Sequence, residues 1–299
     1  MLKHRGMLIE DEDEALTALK AMNYYRLMGY SFHLQTKNNR YRPGTRLSQV
    51  LTLYEFDRRL RSAIIEYLEI VEITVRTRVA YYYSHELGVY GHYYYGNFRD
   101  EKTYSDFQNA MDVAVSKNRD AAFVKNHMVK YTDRKADGED SFPGEKCNMP
   151  LWVIVEILSF STLSKFYTSI PLYSLRQKIA RSFSSDEQYF GGWLHSLANL
   201  RNTCAHYGRL YNRELLPRIG YDKQTYQAYR KDYGQLRTGY LFGYFIAILR
   251  LLPRPEQRTA LLDRVGSLFS GYQNNVDLKH VGAPDRWQAC FDAWKKDTP

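Results

Sequence analysis

Residues 47–87 read LSQVLTLYEFDRRLRSAIIEYLEIVEITVRTRVAYYYSHEL, a stretch with neither Pro nor Gly. Apolar side chains recur in it mostly at steps of three and four: Val50, Leu53, Tyr54, Leu60, Ile64, Leu68, Val71, Val75 and Val79. A helix turns by about 100° per residue, so this spacing gathers them on one stripe that has to face a core. The stretch predicts one very long helix, or two with a kink, ended by Gly88. Glu72 and Arg76 stand at the spacing of an intrahelical pair, either an ordinary surface pair or a brace behind the Arg201 region.

The flanking segments carry helical signals too. Residues 9–22 predict a short helix whose acidic run, Glu10 to Glu14, meets the positive end of the helix dipole. Residues 100–135 predict one or two mostly polar helices, and Pro150 opens a helix that runs to about Ser159 and packs fully inside. Residues 172–183 form a short helix. Residues 223–252 form a longer one with an apolar second half, broken by Pro253 and Pro255, and residues 256–270 and a last helix after Trp287 follow. Between them, residues 134–149 read as a loop, dense in Gly, Pro and charge, placed near the site or ordered by RNA. No period-two strand pattern, repeat or low-complexity linker occurs, so the expected fold is all-α. It is drawn as 1–46, 47–215 and 216–299, packed in one globular unit.

The chemistry concentrates in residues 185–213, SDEQYFGGWLHSLANLRNTCAHYGRLYNR. Ser185 or Asp186 caps a helix here and Gly208 sits where it should stop. Trp193, Leu197, Leu200 and Cys204 fall on an apolar stripe; His195, Asn199, Asn202 and His206 fall on a polar one. That polar face carries uncharged or titratable groups instead of the usual Lys and Glu, which suits it to meet a partner.

Arg201 to His206 resembles the Arg-x(4–6)-His motif of the HEPN superfamily, and that resemblance implies cutting RNA without a metal, which requires a base for the ribose 2′-OH, an acid for the leaving 5′-oxygen, and a cation on the phosphoryl oxygens. His206, a side chain with an ordinary pKa of about 6.5, fits the first two roles. Arg201 fits the third, although it lies about 140° around the helix from His206, so only its length returns its charge to the same phosphate. Asn202, one turn before His206, either fixes the imidazole or donates to phosphate. His195 is a second imidazole on the stripe, but roughly 16 Å from His206 at about 1.5 Å per residue. A second chain pairing through the His195/Asn199/Asn202/His206 face would supply the missing acid or base; the same face also suits a hydrogen-bonded dimer seam and nothing more.

A net charge of +9 favours a polyanionic partner, nucleic acid or an anionic membrane surface. Twenty-seven tyrosines serve cores and base stacking alike. Residues 37–46 contain Lys37, Arg40, Arg42 and Arg46 with Tyr41, Pro43 and Gly44, a loop that is either solvated or in contact with phosphate. Cys147, Cys204 and Cys290 form no C-x-x-C pair, which predicts a reduced, cytoplasmic setting. The first residues lack the apolar core of a signal peptide, and the apolar run 240–252 is too short to span a bilayer. No metal site is expected: His85 and His92 lack a ligand spacing, and no H-E-x-x-H occurs. No cofactor is expected.

Arg201 to His206 matches the Arg-x(4–6)-His motif of the HEPN superfamily, and the longer strings LRNTCAH (200–206) and RLYNR (209–213) resemble abortive-infection (Abi) proteins of the AbiD/AbiF kind. NYYRLMGY (23–30) and the run from LYEFDRRLR (53–61) through Glu69, Glu72 and Arg76 to Gly88 support the same resemblance. The resemblance implies a HEPN-like helical bundle over 47–215 with additional N- and C-terminal helices. It implies a metal-independent endoribonuclease, the toxin of an anti-phage system, with Arg201, His206 and Asn202 catalytic. Paired chains would leave 2′,3′-cyclic phosphate and 5′-hydroxyl ends. Arg209, Arg213, Arg26, Lys37, Arg40, Arg42 and Arg46 would hold RNA, both substrate and a structured non-coding RNA that restrains the toxin. Arg209 and Arg213 have an alternative role, holding the helix C-terminus by their charge. The rival expectation is a non-catalytic RNA- or protein-binding module that keeps the HEPN helices.

Overall fold

A computed structural model describes residues 1–127 and 149–297; apart from Met149, the predicted 134–149 loop and Cys147 fall outside the described residues. The fold is all-α. Among the described residues no strand forms, and two isolated bridges, Leu8 with Arg46 and Gln35 with Tyr41, are the extent of β pairing.

Leu47–Leu87 is a single helix, resolving the choice between one helix and two. Val50, Leu60, Ile64, Leu68, Val71, Val75 and Val79 of its stripe are all fully buried. Gly88 ends it in the left-handed region, φ +82°, its N–H bonded to the Ser84 carbonyl at 3.1 Å. The chain divides into two units: Met1–Tyr67, Leu200–Leu249 and Arg254–Pro299 make the first, Leu68–Asn199 and Arg250–Pro253 the second.

The first unit contains Glu12–Ala21, Tyr24–Met28, Lys223–Tyr233, Pro255–Tyr272 and Trp287–Lys296. Asp11 caps the first of these by accepting from the Glu14 N–H, so the acidic run serves the helix start as its position suggests. An aromatic cluster fills the C-terminal part of the core: Phe242 stacks on Phe291 at 5.6 Å and Phe269 meets Trp287 edge-on at 5.3 Å. The single helix expected over 223–252 is two. Lys223–Tyr233 stops at Gly234, whose φ of +79° a helix cannot continue, and Leu241–Leu251 starts afresh, almost wholly buried.

Residues 37–46 are tied down rather than loose. The Arg42 N–H reaches the Leu34 carbonyl at 3.0 Å, the Tyr41 N–H reaches Arg5 at 2.9 Å, and Tyr41 is buried. Their cationic side chains stay exposed.

In the second unit Phe107 stacks on Phe166 at 4.5 Å and Tyr167 meets Phe190 edge-on at 5.0 Å, joining Glu101–Lys117, Phe160–Ser169 and Glu187–Ala205 through ring packing. The Glu72–Arg76 pair is no surface pair: both residues are buried. Arg76 also donates to the Val155 carbonyl in the last turn of Leu151–Ile157, where helical carbonyls lack partners of their own. That helix is not fully inside, since Trp152 is 48% exposed and Glu156 is exposed as well. It also ends before Ser159, which caps the next helix by accepting from the Thr162 N–H at 3.1 Å. None of the described helices is long and apolar enough to cross a membrane.

Replacing Glu72 by Ala strands the Arg76 guanidinium in the core and should cost about 3 kcal/mol, lowering the urea midpoint. Glu69→Ala, at an exposed position on the same helix, should stay within about 0.5 kcal/mol of the parent.

Candidate functional site

The motif lies at the C-terminal end of Glu187–Ala205. Asp186 accepts from the Gln188 N–H at 3.2 Å, so of the two expected caps it is the one beside the helix start. At the other end the Tyr207 N–H bonds to Cys204 at 3.1 Å and the Gly208 N–H to Thr203 at 2.7 Å, the paired bonds of a Schellman ending. The left-handed residue in this ending is Tyr207, φ +57°, where Gly208 was the expected stop. Gly208 is needed for a different reason: a Cβ there would lie 2.8 Å from Thr203 Cγ2 and 3.0 Å from the Thr203 carbonyl oxygen.

The two stripes divide as the spacing requires. Trp193, Leu197, Leu200 and Cys204 are buried; His195 and His206 are exposed, with Asn199 and Asn202 half-buried between them. Asn199 Nδ2 donates to the His195 carbonyl at 3.0 Å. Arg201 Nη1 meets Asn202 Oδ1 at 3.5 Å, a long contact that aligns amide and guanidinium. The His206 imidazole makes no side-chain hydrogen bond among the described residues, so Asn202 touches Arg201 and does not hold His206. An exposed imidazole is open to a substrate or a second chain. Cys204 offers no competing chemistry, because burial pushes its thiol up to about 12.

What fixes this end of the helix is a residue of the 53–61 string to which the sequence assigned no role. Asp57 is completely buried. It accepts from the Tyr30 hydroxyl at 2.7 Å, from the Tyr211 N–H at 2.7 Å, from the Leu210 N–H at 3.1 Å and from the Arg61 guanidinium. Arg61 in turn lies 3.4 Å from the Gly208 carbonyl. Residues 23–30, 53–61 and 209–213 therefore meet at one carboxylate. Burial pushes the Asp57 carboxyl up, while Tyr30, Arg61 and the two backbone donors favour its charged form. The signal was present in the sequence: Leu53, Asp57, Leu60 and Ile64 step by four, three and four, so Asp57 holds a core-register position that an apolar residue should occupy.

The expected RNA contacts scatter. Arg26 is exposed and its Nη1 donates to the Tyr207 carbonyl at 2.7 Å, bracing the turn after His206. Arg213 is exposed, with Nη1 3.5 Å from the Arg209 carbonyl. Arg209 turns inward, half-buried, its guanidinium 5.9 Å from the Tyr30 ring centre. Arg46 pairs with Glu10, whereas Lys37, Arg40 and Arg42 are exposed on the tied-down turn. A cleft of about 790 Å³ adjoins the motif, lined by Arg26, Arg58, Arg61, Cys204 and Tyr207; Arg201, Asn202 and His206 lie outside its lining. Among the described residues no three His, Cys, Asp or Glu side chains cluster as metal ligands.

A family model described as Abi-like protein matches residues 17–212, a span that holds Tyr30, Asp57, Arg201, His206 and Tyr211. No curated protein and no solved structure matches the chain.

Asp57→Asn keeps the shape of the side chain but strands the Arg61 charge, and should cost about 3 kcal/mol. Tyr30→Phe removes one donor and should cost about 1 kcal/mol; equal losses in chemical denaturation would contradict this ranking. Acid should weaken the fold through its buried imidazoles. Burial holds His33 down at about 4 and His92 at about 3, against an ordinary 6.5, so the unfolded chain binds more protons as pH falls below 6.5. This stability is complete above pH 6.5 and is lost on going down through the window, so Tm should drop steadily between pH 6.5 and 4. A flat Tm across that range would show that the imidazoles titrate normally.

Proposed function

The chain belongs to the Abi-like protein family, and from that premise we propose that it is the RNA-cutting effector of an abortive-infection defence against phage, working through a HEPN-type site and without a metal. The observation that carries the reading is the exposed His206 imidazole, one turn beyond Asn202 and Arg201, at a helix end locked by the buried Asp57.

In this reading His206 takes the proton from a ribose 2′-OH. The 2′-oxygen attacks the adjacent phosphorus, and the P–O5′ bond breaks as the leaving oxygen gains a proton. Arg201, steadied by Asn202, stabilises the extra negative charge on the phosphoryl oxygens. The products are a 2′,3′-cyclic phosphate and a 5′-hydroxyl, with no oxidant or divalent ion in the balance. One imidazole cannot be base and acid at once, and a second copy meeting this one through the His195/Asn199/Asn202/His206 face would bring the other. Both histidines of that face are exposed, which suits the pairing.

Lys37, Arg40 and Arg42 on their turn, with Arg26 and Arg213 near the motif, would contact the RNA backbone, whether substrate or a structured non-coding RNA that restrains the toxin. Residues 47–215 would form the HEPN-like core, and the protein would act in the reducing cytoplasm, where the thiols of Cys204 and Cys290 stay free.

The test is RNA cleavage by purified protein in excess EDTA. The parent should leave cyclic-phosphate ends, and Arg201→Ala with His206→Ala should lose at least about 100-fold in rate while still binding RNA. A double variant that retains its effect on cells, alongside a parent that cuts nothing, would make the chain a non-catalytic RNA- or protein-binding module instead.

A further inference from the structure

The first unit holds a cavity of about 610 Å³ that the proposed chemistry leaves unused. His33, Arg42, Tyr211, Asp277 and His280 line its polar part. The two imidazoles lie against each other, ring centres 4.6 Å apart, and both lie against the Tyr211 ring, at 5.5 and 5.2 Å.

The proton positions follow from the partners. His280 Nδ1 is 3.1 Å from Asn212 Oδ1, an atom that only accepts, so Nδ1 carries the hydrogen. Its Nε2 is 3.9 Å from Asp277 Oδ2, beyond hydrogen-bond range. His33 Nδ1 is buried and, among the described residues, has no partner; Nη1 of Arg209 is in the same condition. Buried polar nitrogens without a partner are rare in a folded protein, and of these two residues His33 is the one that lines the cavity.

The surrounding charge points to the kind of acceptor. Burial first, then His280, Arg209 and Arg42, hold the His33 imidazole in its neutral form, with Asp277 the opposing influence. Burial and Arg237 act likewise on His280, against Asp277. Arginines and imidazoles thus crowd around a single carboxylate, an arrangement that gains from one more negative group rich in acceptor oxygens. The rest of the cavity is of another character. Phe32, 61% exposed at its edge, and Leu53 offer apolar surface, while Gln49 and Asn275 offer amides. The volume is in the range of small-ligand sites.

We propose that this cavity binds a nucleotide. Its phosphate lies among His33, Arg42 and His280, and its base lies against Phe32 at the cavity edge. Two sources share that chemistry: a free mononucleotide and the phosphorylated end of an RNA strand. The site uses none of Arg201, Asn202 and His206, so occupancy here and cleavage there fail separately. Arg209, Tyr211 and Asn212 belong to the segment that Asp57 holds, so a bound phosphate would bear on the turn that follows His206.

The experiment is calorimetric titration of the full chain carrying Arg201→Ala and His206→Ala, so that RNA stays intact. The ligands are the four nucleoside 5′-monophosphates, the unphosphorylated nucleosides, and a short RNA with a 5′-phosphate or a 5′-hydroxyl. Saturable binding at one site per chain is expected, lost by about tenfold or more when the phosphate is absent. Arg42→Gln should weaken it to a similar degree with Tm unchanged, because Arg42 is exposed; His280→Gln is the second variant. Tighter binding of the phosphorylated RNA assigns the site to an RNA end, and tighter binding of a mononucleotide assigns it to a free ligand. Absence of saturable binding by both at millimolar concentration, or undiminished binding by Arg42→Gln, overturns the proposal and leaves the two buried nitrogens to water.

Discussion

A carboxylate with no access to water, Asp57, is the constraint on which the motif end of the molecule depends. Placed alone in a core it would be intolerable. It is tolerated because the Tyr30 hydroxyl, the Arg61 guanidinium and two successive backbone N–H groups, Leu210 and Tyr211, all converge on it. The donors come from three stretches of the chain, so satisfying one acid fixes the start of the long helix, the segment before it and the segment after the motif against each other. The geometry around His206 follows from this. Residues 208–211 have one place to go, and the helix before them has to end where it does.

The ending itself carries strain that a glycine would avoid. Tyr207 takes the left-handed conformation, costing of order 1 kcal/mol for a side chain with a Cβ. Its ring is 68% exposed, so burial of the ring does not repay that cost. The two Schellman bonds and the Arg26 bond to the Tyr207 carbonyl hold the turn despite it, and Gly208 permits the close approach to Thr203. The outcome is an exposed imidazole at a rigid helix terminus, an arrangement more precise than the same imidazole on a loop.

The long helix carries a second buried pair, Glu72 with Arg76, and the comparison is instructive. Both pairs have the i, i+4 spacing that the sequence makes visible, and both resemble ordinary surface pairs on that spacing alone. What separates them from the exposed Arg58 and Arg59 with their half-buried partner Glu55 is register: Asp57 falls in line with Leu53, Leu60 and Ile64. A charge in an apolar stripe was readable as an anomaly. Its partners were not, because the N–H groups of Leu210 and Tyr211 lie more than 150 residues away in sequence.

Periodicity alone determined the long helix 47–87 and the buried and exposed faces of the motif helix, since both depend on the roughly 100° step of a local backbone. Residue type placed the cap near Asp186 and the stop near Gly208. Local pattern was weaker where one residue's backbone angle decides, as at Gly234, which splits the helix expected over 223–252. Tertiary structure alone decided which charges are buried, that Arg209 turns inward while Arg213 faces out, and that His33 and His280 meet although far apart in sequence. Those outcomes depend on which distant group supplies a hydrogen-bond partner or excludes water, and no spacing within a single segment encodes that.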